Sequence, residues 1–285
     1  LSGPLFIVVS AVLALAPSTL ASPVIDDAAL GEKFTQGLNE PEVVGLSGEQ
    51  SAQAVEEADG KKVQVARDAG LAASADYADA SRAVVVIGSI EYCKECEKFH
   101  MGAVSSGWVI DPRGLIATNY HVMEDKEAGE IGVMDRDGKV YAVRKVIAAD
   151  RAGDAAIIEI ETGGAELRAF PLAASVKTGE PVSVIGHPDG RFYSLTEGIV
   201  SRVFAEAMDD DGKDRRTWIT VTADYGSGSS GAPVLNAAGE VVGMVSSTAA
   251  LLADPEQDKE PNAEDVQMVF RDCVSIDTIR GLLQP

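Results

Sequence analysis

The chain has 285 residues, 46% of them hydrophobic, enough for one large domain or two small ones with a real core; wholesale disorder is excluded. Lys plus Arg is 24 and Asp plus Glu is 45, and the resulting net charge of −21 would repel a phosphate backbone, so no nucleic-acid partner is expected. Beyond the N-terminus no apolar run reaches the about 18 residues of a permanent membrane span.

Leu5 to Ala16 is an apolar run followed by Pro17 and then Thr19-Leu20-Ala21, small residues where a signal peptidase cuts. Residues 1–21 are therefore expected to be a signal peptide, with a short buried helix as the alternative. Export to the periplasm, the cell surface or the extracellular space follows, and disulfides form there. Residues 22–82 are rich in Ala and acid, with 12 acidic and 5 basic residues and poor hydrophobic periodicity. That composition predicts a solvated linker, disordered or loosely helical.

The texture changes at Ala83. Ala83 to Gly88 is β-branched and reads as a buried strand. Short strand-like runs follow at 106–110, 115–118, 131–134, 139–147, 155–160, 182–185, 195–204, 217–222, 240–246 and 266–270. Arg136-Asp137-Gly138 and Ala238-Gly239 lie between such runs as hairpin signals. Evenly spaced short strands without intervening helices predict an all-β, antiparallel domain over 83–285. Ser275 to Leu283 closes the chain with Ile276, Ile279, Leu282 and Leu283 at helical spacing and Ser275 as N-cap. Trp108 and Trp218 read as core or strand residues.

Three cysteines, Cys93, Cys96 and Cys273, cannot all pair within one chain. Cys93-Lys94-Glu95-Cys96 followed by His100 has the spacing of half a zinc knuckle, and Cys273 could supply a fourth ligand. The other readings are a Cys93–Cys96 disulfide or a bridge from either to Cys273. The bland readings are favoured, and neither metal nor cofactor is expected.

Three segments carry chemistry. Thr118-Asn119-Tyr120-His121 ends a strand, Gly153-Asp154 precedes another, and Gly228-Ser229-Ser230-Gly231 is a glycine-flanked serine. A serine hydroxyl needs a base to take its proton. The oxyanion formed by its attack needs N–H donors, which the main chain of Gly228 and Ser230 can offer in a Gly-x-Ser-Gly turn. Each segment alone reads as a turn or a loop; their order His, Asp, Ser is what points to nucleophilic catalysis.

The text around these residues resembles the trypsin-like serine peptidases, most closely the Htr/Deg branch. SSGWVIDPRGLIATNYHVMED (105–125), DRAGDAAIIEIE (150–161), PVSVIGHPDGRFYSLTEGIVSRV (181–203) and GSGSSGAPVLNAAGEVVGMVSS (226–247) match its segments in order, and the likeness extends from Ala83 to Leu283. The resemblance implies a double six-stranded antiparallel β-barrel, barrel one over about 83–165 and barrel two over about 170–285, with a short C-terminal helix. It implies His121 as general base, Asp154 as its orienter, Ser230 as nucleophile, and Gly228 and Ser230 as the oxyanion hole. Protein or peptide substrates would pair with the edge carrying Ser246 and Ser247, and Asp224 could stand in the S1 pocket or be merely structural. Val245 on the pocket wall speaks against glutamyl specificity. His187, in a Gly/Pro turn, reads as structural. Ala232 and Ser229 depart from the family's usual Gly and Asn, the nucleophile loop is shorter, and no PDZ domain is expected after the helix. The implied function is an exported serine endopeptidase, its oligomeric state open; the alternative is a latent trypsin-like fold that binds protein partners.

Overall fold

The β-branched runs after Ala83 close into two antiparallel barrels, seen in a computed structural model that describes residues 24–66, 74–209, 211–253 and 265–284. The strands are β1 (Leu46–Ser47), β2 (Val84–Cys93), β3 (Lys98–Asp111), β4 (Leu115–Thr118), β5 (Glu130–Met134), β6 (Val140–Asp150) and β7 (Ala155–Ile160), then β8 (Pro181–Gly186), β9 (Ser194–Ala207), β10 (Arg215–Val221), β11 (Pro233–Asn236), β12 (Val241–Leu252) and β13 (Val266–Ser275). The first sheet runs β5-β2-β3-β4-β7-β6 and closes through a β5–β6 pairing, with β1 added beside β5. The second is a closed barrel of order β10-β13-β12-β11-β8-β9. Both fit the expected trypsin-like double barrel. Closure removes the free strand edges that an open sheet would present to other chains.

One apolar cluster runs from barrel to barrel. Fully buried Trp108 and its neighbour Ile110 on β3 belong to the same cluster as Ile185, Met244 and Val274 of the second barrel. Trp108 meets Phe170 edge to face, with ring centroids 6.4 Å apart. The C-terminal helix is present as expected: Ser275 Oγ accepts from the Asp277 N–H, and Ile276 and Ile279 are buried.

Residues 22–82 differ from the solvated linker read in the sequence. Within the described residues they form α1 (Asp27–Leu38), α2 (Gly48–Ala58) and the single-turn α3 (Tyr77–Ala80), the first two packed on the first barrel. Asp26 caps α1 by accepting from the Ala29 N–H. Its Leu30, Phe34 and Leu38 fall on one face at four-residue spacing, and Phe34 and Leu38 are 0% and 1% exposed. Burial of such a side chain stabilises by roughly 1.5–3 kcal/mol. Helix α2 begins in a capping box, with Ser47 and Gln50 each bonding the other's main chain. The acidic residues that suggested solvation occupy the outer faces of helices whose inner faces are core. Residues 1–21, the expected signal peptide, lie outside the described residues, and among the described residues no helix is long and apolar enough to cross a membrane.

Candidate active site

A short helix α4 (Tyr120–Met123) follows β4 and carries His121. Its N-cap residue, Asn119, is buried, and its side-chain N–H donates to the Asp154 carbonyl at 3.0 Å. Asp154 stands in the tight turn before β7 in a left-handed conformation, φ +50, uncommon outside glycine. From there the carboxylate faces His121. Both carboxylate oxygens lie 3.0 Å from His121 Nδ1, and Oδ1 also accepts the His121 main-chain N–H at 3.1 Å. Oδ2 accepts from Ser246 Oγ at 2.5 Å.

Two acceptors facing Nδ1 place the imidazole proton there and leave the Nε2 lone pair outward. Burial works against the charged ring. The hydrogen bond that His121 donates to Asp154, the Asp154 charge and that of Glu124 outweigh burial and raise the pKa of His121 above its ordinary 6.5. The ring keeps access to solvent, with 43% of its side chain exposed.

Ser230 lies between β10 and β11, and its loop is held through its own main-chain groups. The Ser106 N–H donates to the Ser230 carbonyl at 2.8 Å, and Ser106 Oγ donates to the Gly228 carbonyl at 2.9 Å. The Asp189 N–H donates to the Ser227 carbonyl at 2.7 Å, tying the loop to the turn around His187. Gly228 has φ +94, and a methyl group there would come within 2.3 Å of the His187 carbonyl oxygen. Gly231 has φ +85 and faces the Ser106 carbonyl at 2.1 Å in the same sense, with Thr118 Oγ1 at 2.5 Å. Gly231 thus seats the serine loop against the end of β4, three residues before His121. The Ser229 N–H is used within the loop, bonding the Gly226 carbonyl at 2.9 Å. Among the described residues, the N–H groups on either side of it, those of Gly228 and Ser230, donate to no protein acceptor. Two uncommitted donors flanking a committed one are what an anion-binding turn requires.

The remaining residues named from sequence fall as follows. His187 is buried and structural, with Nδ1 accepting the Tyr193 N–H at 3.0 Å. Burial pushes its pKa down to about 4, against the Val85 main chain and aided by Arg136. Asp224 is paired with Arg271 at 2.7 Å, its side chain 78% exposed. Ser246 turns its hydroxyl to Asp154, so its side chain serves the carboxylate. Ser247 lies beside it on β12, beyond Met244, where the pairing with β11 ends. The Ser247 carbonyl accepts from Tyr225 Oη. Ala232, where the family has glycine, is buried without conflict because Gly186 opposite leaves room for its methyl. Sequence reasoning missed Asn119 and Ser106. An Asn just before a short helix is an N-cap signal; nothing local marks Ser106.

All three cysteines are free thiols, so neither disulfide considered from sequence is present. Cys273 is buried in the second barrel beside Tyr225 Oη, and burial pushes its pKa up to about 12. It is not part of the cluster that Cys93, Cys96 and His100 form.

Residues 105–244 match the family model of the trypsin-like peptidase domain. The chain is 32% identical over 186 residues to "Protease Do-like 5, chloroplastic" of Arabidopsis thaliana, covering 59% of this chain and 58% of that one. It is 32% identical over 142 residues to "Protease Do-like 1, chloroplastic" of the same plant, covering 49% and 32%. It is 32% identical over 139 residues to a "Probable periplasmic serine endoprotease DegP-like" of Chlamydia pneumoniae, covering 49% and 28%. The chain therefore spans somewhat over half of the first of these relatives and about a third of the other two.

Proposed function

We propose that this chain, which carries a trypsin-like peptidase domain of the Htr/Deg type, is an exported serine endopeptidase acting through Ser230, His121 and Asp154. The observation that carries the reading is the His121–Asp154 pair, with Nδ1 3.0 Å from both carboxylate oxygens and Ser246 fixing the carboxylate from behind. In the proposed reaction Ser230 Oγ attacks the scissile carbonyl carbon while its proton passes to His121 Nε2. The carbonyl oxygen becomes an oxyanion and accepts the Gly228 and Ser230 N–H groups; one such donor is worth about 10²–10³ in rate. Asp154 stabilises the imidazolium. The C–N bond then breaks as His121 returns the proton to the leaving amine, and water repeats the sequence on the acyl-enzyme.

The substrate is proposed to be an extended peptide adding as a strand to the edge at Ser246 and Ser247, where β12 continues past the end of its pairing with β11. Asp224, already paired with Arg271, is assigned to the rim rather than to the base of a lysine- or arginine-binding pocket. Export is supported by the apolar run Leu5 to Ala16 and its small-residue cut site. Relatives named as periplasmic and as chloroplastic support it as well.

Fluorophosphonate labelling of the chain lacking residues 1–21 tests the reading. Labelling is expected in the wild type and lost in Ser230→Ala and His121→Ala, both still folded. A folded wild type that takes no label would instead favour the latent, partner-binding form of the same fold.

A further inference from the structure

The hairpin of β2 and β3 reaches far beyond the barrel core. Burial fades along both strands toward its tip, where Tyr92 and Phe99 pack edge to face at 5.3 Å while still 53% and 40% exposed. An element with so little apolar burial needs another source of rigidity. Three potential ligands gather there. The ligand atoms of Cys93, Cys96 and His100 all lie within 4.8 Å of one another, and Cys96 Sγ is 2.9 Å from His100 Nε2.

We infer that this tip is a metal site for a thiophilic divalent cation, zinc by preference, held by the Cys93 and Cys96 thiolates and the His100 imidazole with a fourth position open to solvent. Zinc bonds of about 2.3 Å to sulfur and about 2.0–2.1 Å to nitrogen put tetrahedral ligand atoms roughly 3.5–3.8 Å apart. The observed cluster needs adjustments of only about 1 Å to meet that.

The main chain is arranged for it. The two cysteines stand three residues apart around the turn, so both thiols face the same side of the tip as the imidazole. Glu97, directly after the second cysteine, takes φ +54, a left-handed turn that brings Lys98 back opposite Cys93. Cross-strand partners share a face and strands alternate, so Lys98 and His100 lie on the face of Cys93. The turn supplies Cys96 and the returning strand supplies the imidazole. Two thiolates neutralise a divalent charge, and the site would pin both strands of the hairpin at its exposed tip. The site shares no residue with the proposed peptidase cleft, so its test does not depend on peptidase activity.

The test is Co²⁺ titration of the full chain, reduced and stripped with chelator, followed by Zn²⁺ competition. The expected result is about one equivalent bound, with thiolate-to-cobalt charge transfer and the strong visible bands of tetrahedral cobalt, both abolished by zinc. Cys96→Ser should lose the spectrum, His100→Ala should keep charge transfer but bind about tenfold or more weakly, and Cys273→Ala should match the wild type. Far-ultraviolet circular dichroism should stay the same in all of them. No cobalt uptake by the wild type, or equal uptake by Cys96→Ser, would overturn the assignment. So would quantitative Cys93–Cys96 bridging by oxidised glutathione in the presence of equimolar zinc, since the pair would then be a disulfide site.

Discussion

The loop that carries Ser230 is held by main-chain bonds, whereas the turn that carries His121 is held by side chains. Ser106, by its N–H and its hydroxyl, Asp189 and Gly226 all bond backbone groups of the serine loop, and its two left-handed glycines let it press against the His187 and Ser106 carbonyls. On the other side, Asn119, Asp154, Ser246 and the Ser51 hydroxyl of α2 reach in from four separate elements. A backbone-held loop is indifferent to most side-chain changes but rejects a Cβ where two carbonyls crowd it. A side-chain-held turn tolerates methyl groups but depends on each polar partner. The two halves should therefore fail in different ways.

The largest expected effect is on the polar half. Asp154→Asn replaces the acceptor facing Nδ1 with an amide that can donate, which favours the wrong imidazole tautomer; kcat should fall by about 10⁴-fold. The pH profile gives the sign. The base must be neutral, so wild-type kcat/KM should rise with pH through a pKa above 6.5. Removing the Asp154 charge leaves burial opposed only by the smaller effect of the Glu124 charge, and the inflection should move downward. An unchanged inflection would show that Asp154 does not govern the charge of His121.

A second prediction concerns the arm that braces the polar half. Phe34→Ala should destabilise by about 3–5 kcal/mol, as for a fully buried aromatic, and lower the urea midpoint without changing the slope. A loss below about 0.5 kcal/mol would mean that α1 is an appendage, as its composition suggested.

Why that arm misled is a physical matter. Leu30, Phe34 and Leu38 at four-residue spacing and the Ser47–Gln50 capping box were legible signals, but the segment's net charge of −7, from 12 acidic and 5 basic residues, masked a narrow apolar stripe. The strands read better. β4 and β7 run from 115 to 118 and from 155 to 160 as expected, because turn residues bracket continuous apolar runs. β11 went unread because Pro233 opens it, a position where proline costs no ladder bond. His121, Asp154 and Ser230 were proposed from their immediate neighbours in sequence. The bond from Ser246 to Asp154 spans 92 residues and the one from Asn119 to Asp154 spans 35, and local text carries no such information.

The smallest effect probes the contact between arm and site directly. Ser51 is fully buried, and its hydroxyl donates to the Met123 carbonyl at 2.7 Å, at the C-terminal end of α4. A four-residue helix cannot sustain itself, and its last carbonyls need partners from elsewhere. Ser51→Ala leaves that carbonyl buried without this donor, at a cost of about 1–3 kcal/mol in stability. His121 keeps its bonds to Asp154, so kcat/KM should fall by no more than about tenfold, or ~1.4 kcal/mol at the transition state. A stability loss with nearly intact turnover would make α2 a brace for the turn, with the imidazole aimed by the carboxylate alone. A fall in kcat well beyond tenfold in folded protein would mean that the arm sets the position of His121, and the polar half would then depend on all four elements in concert.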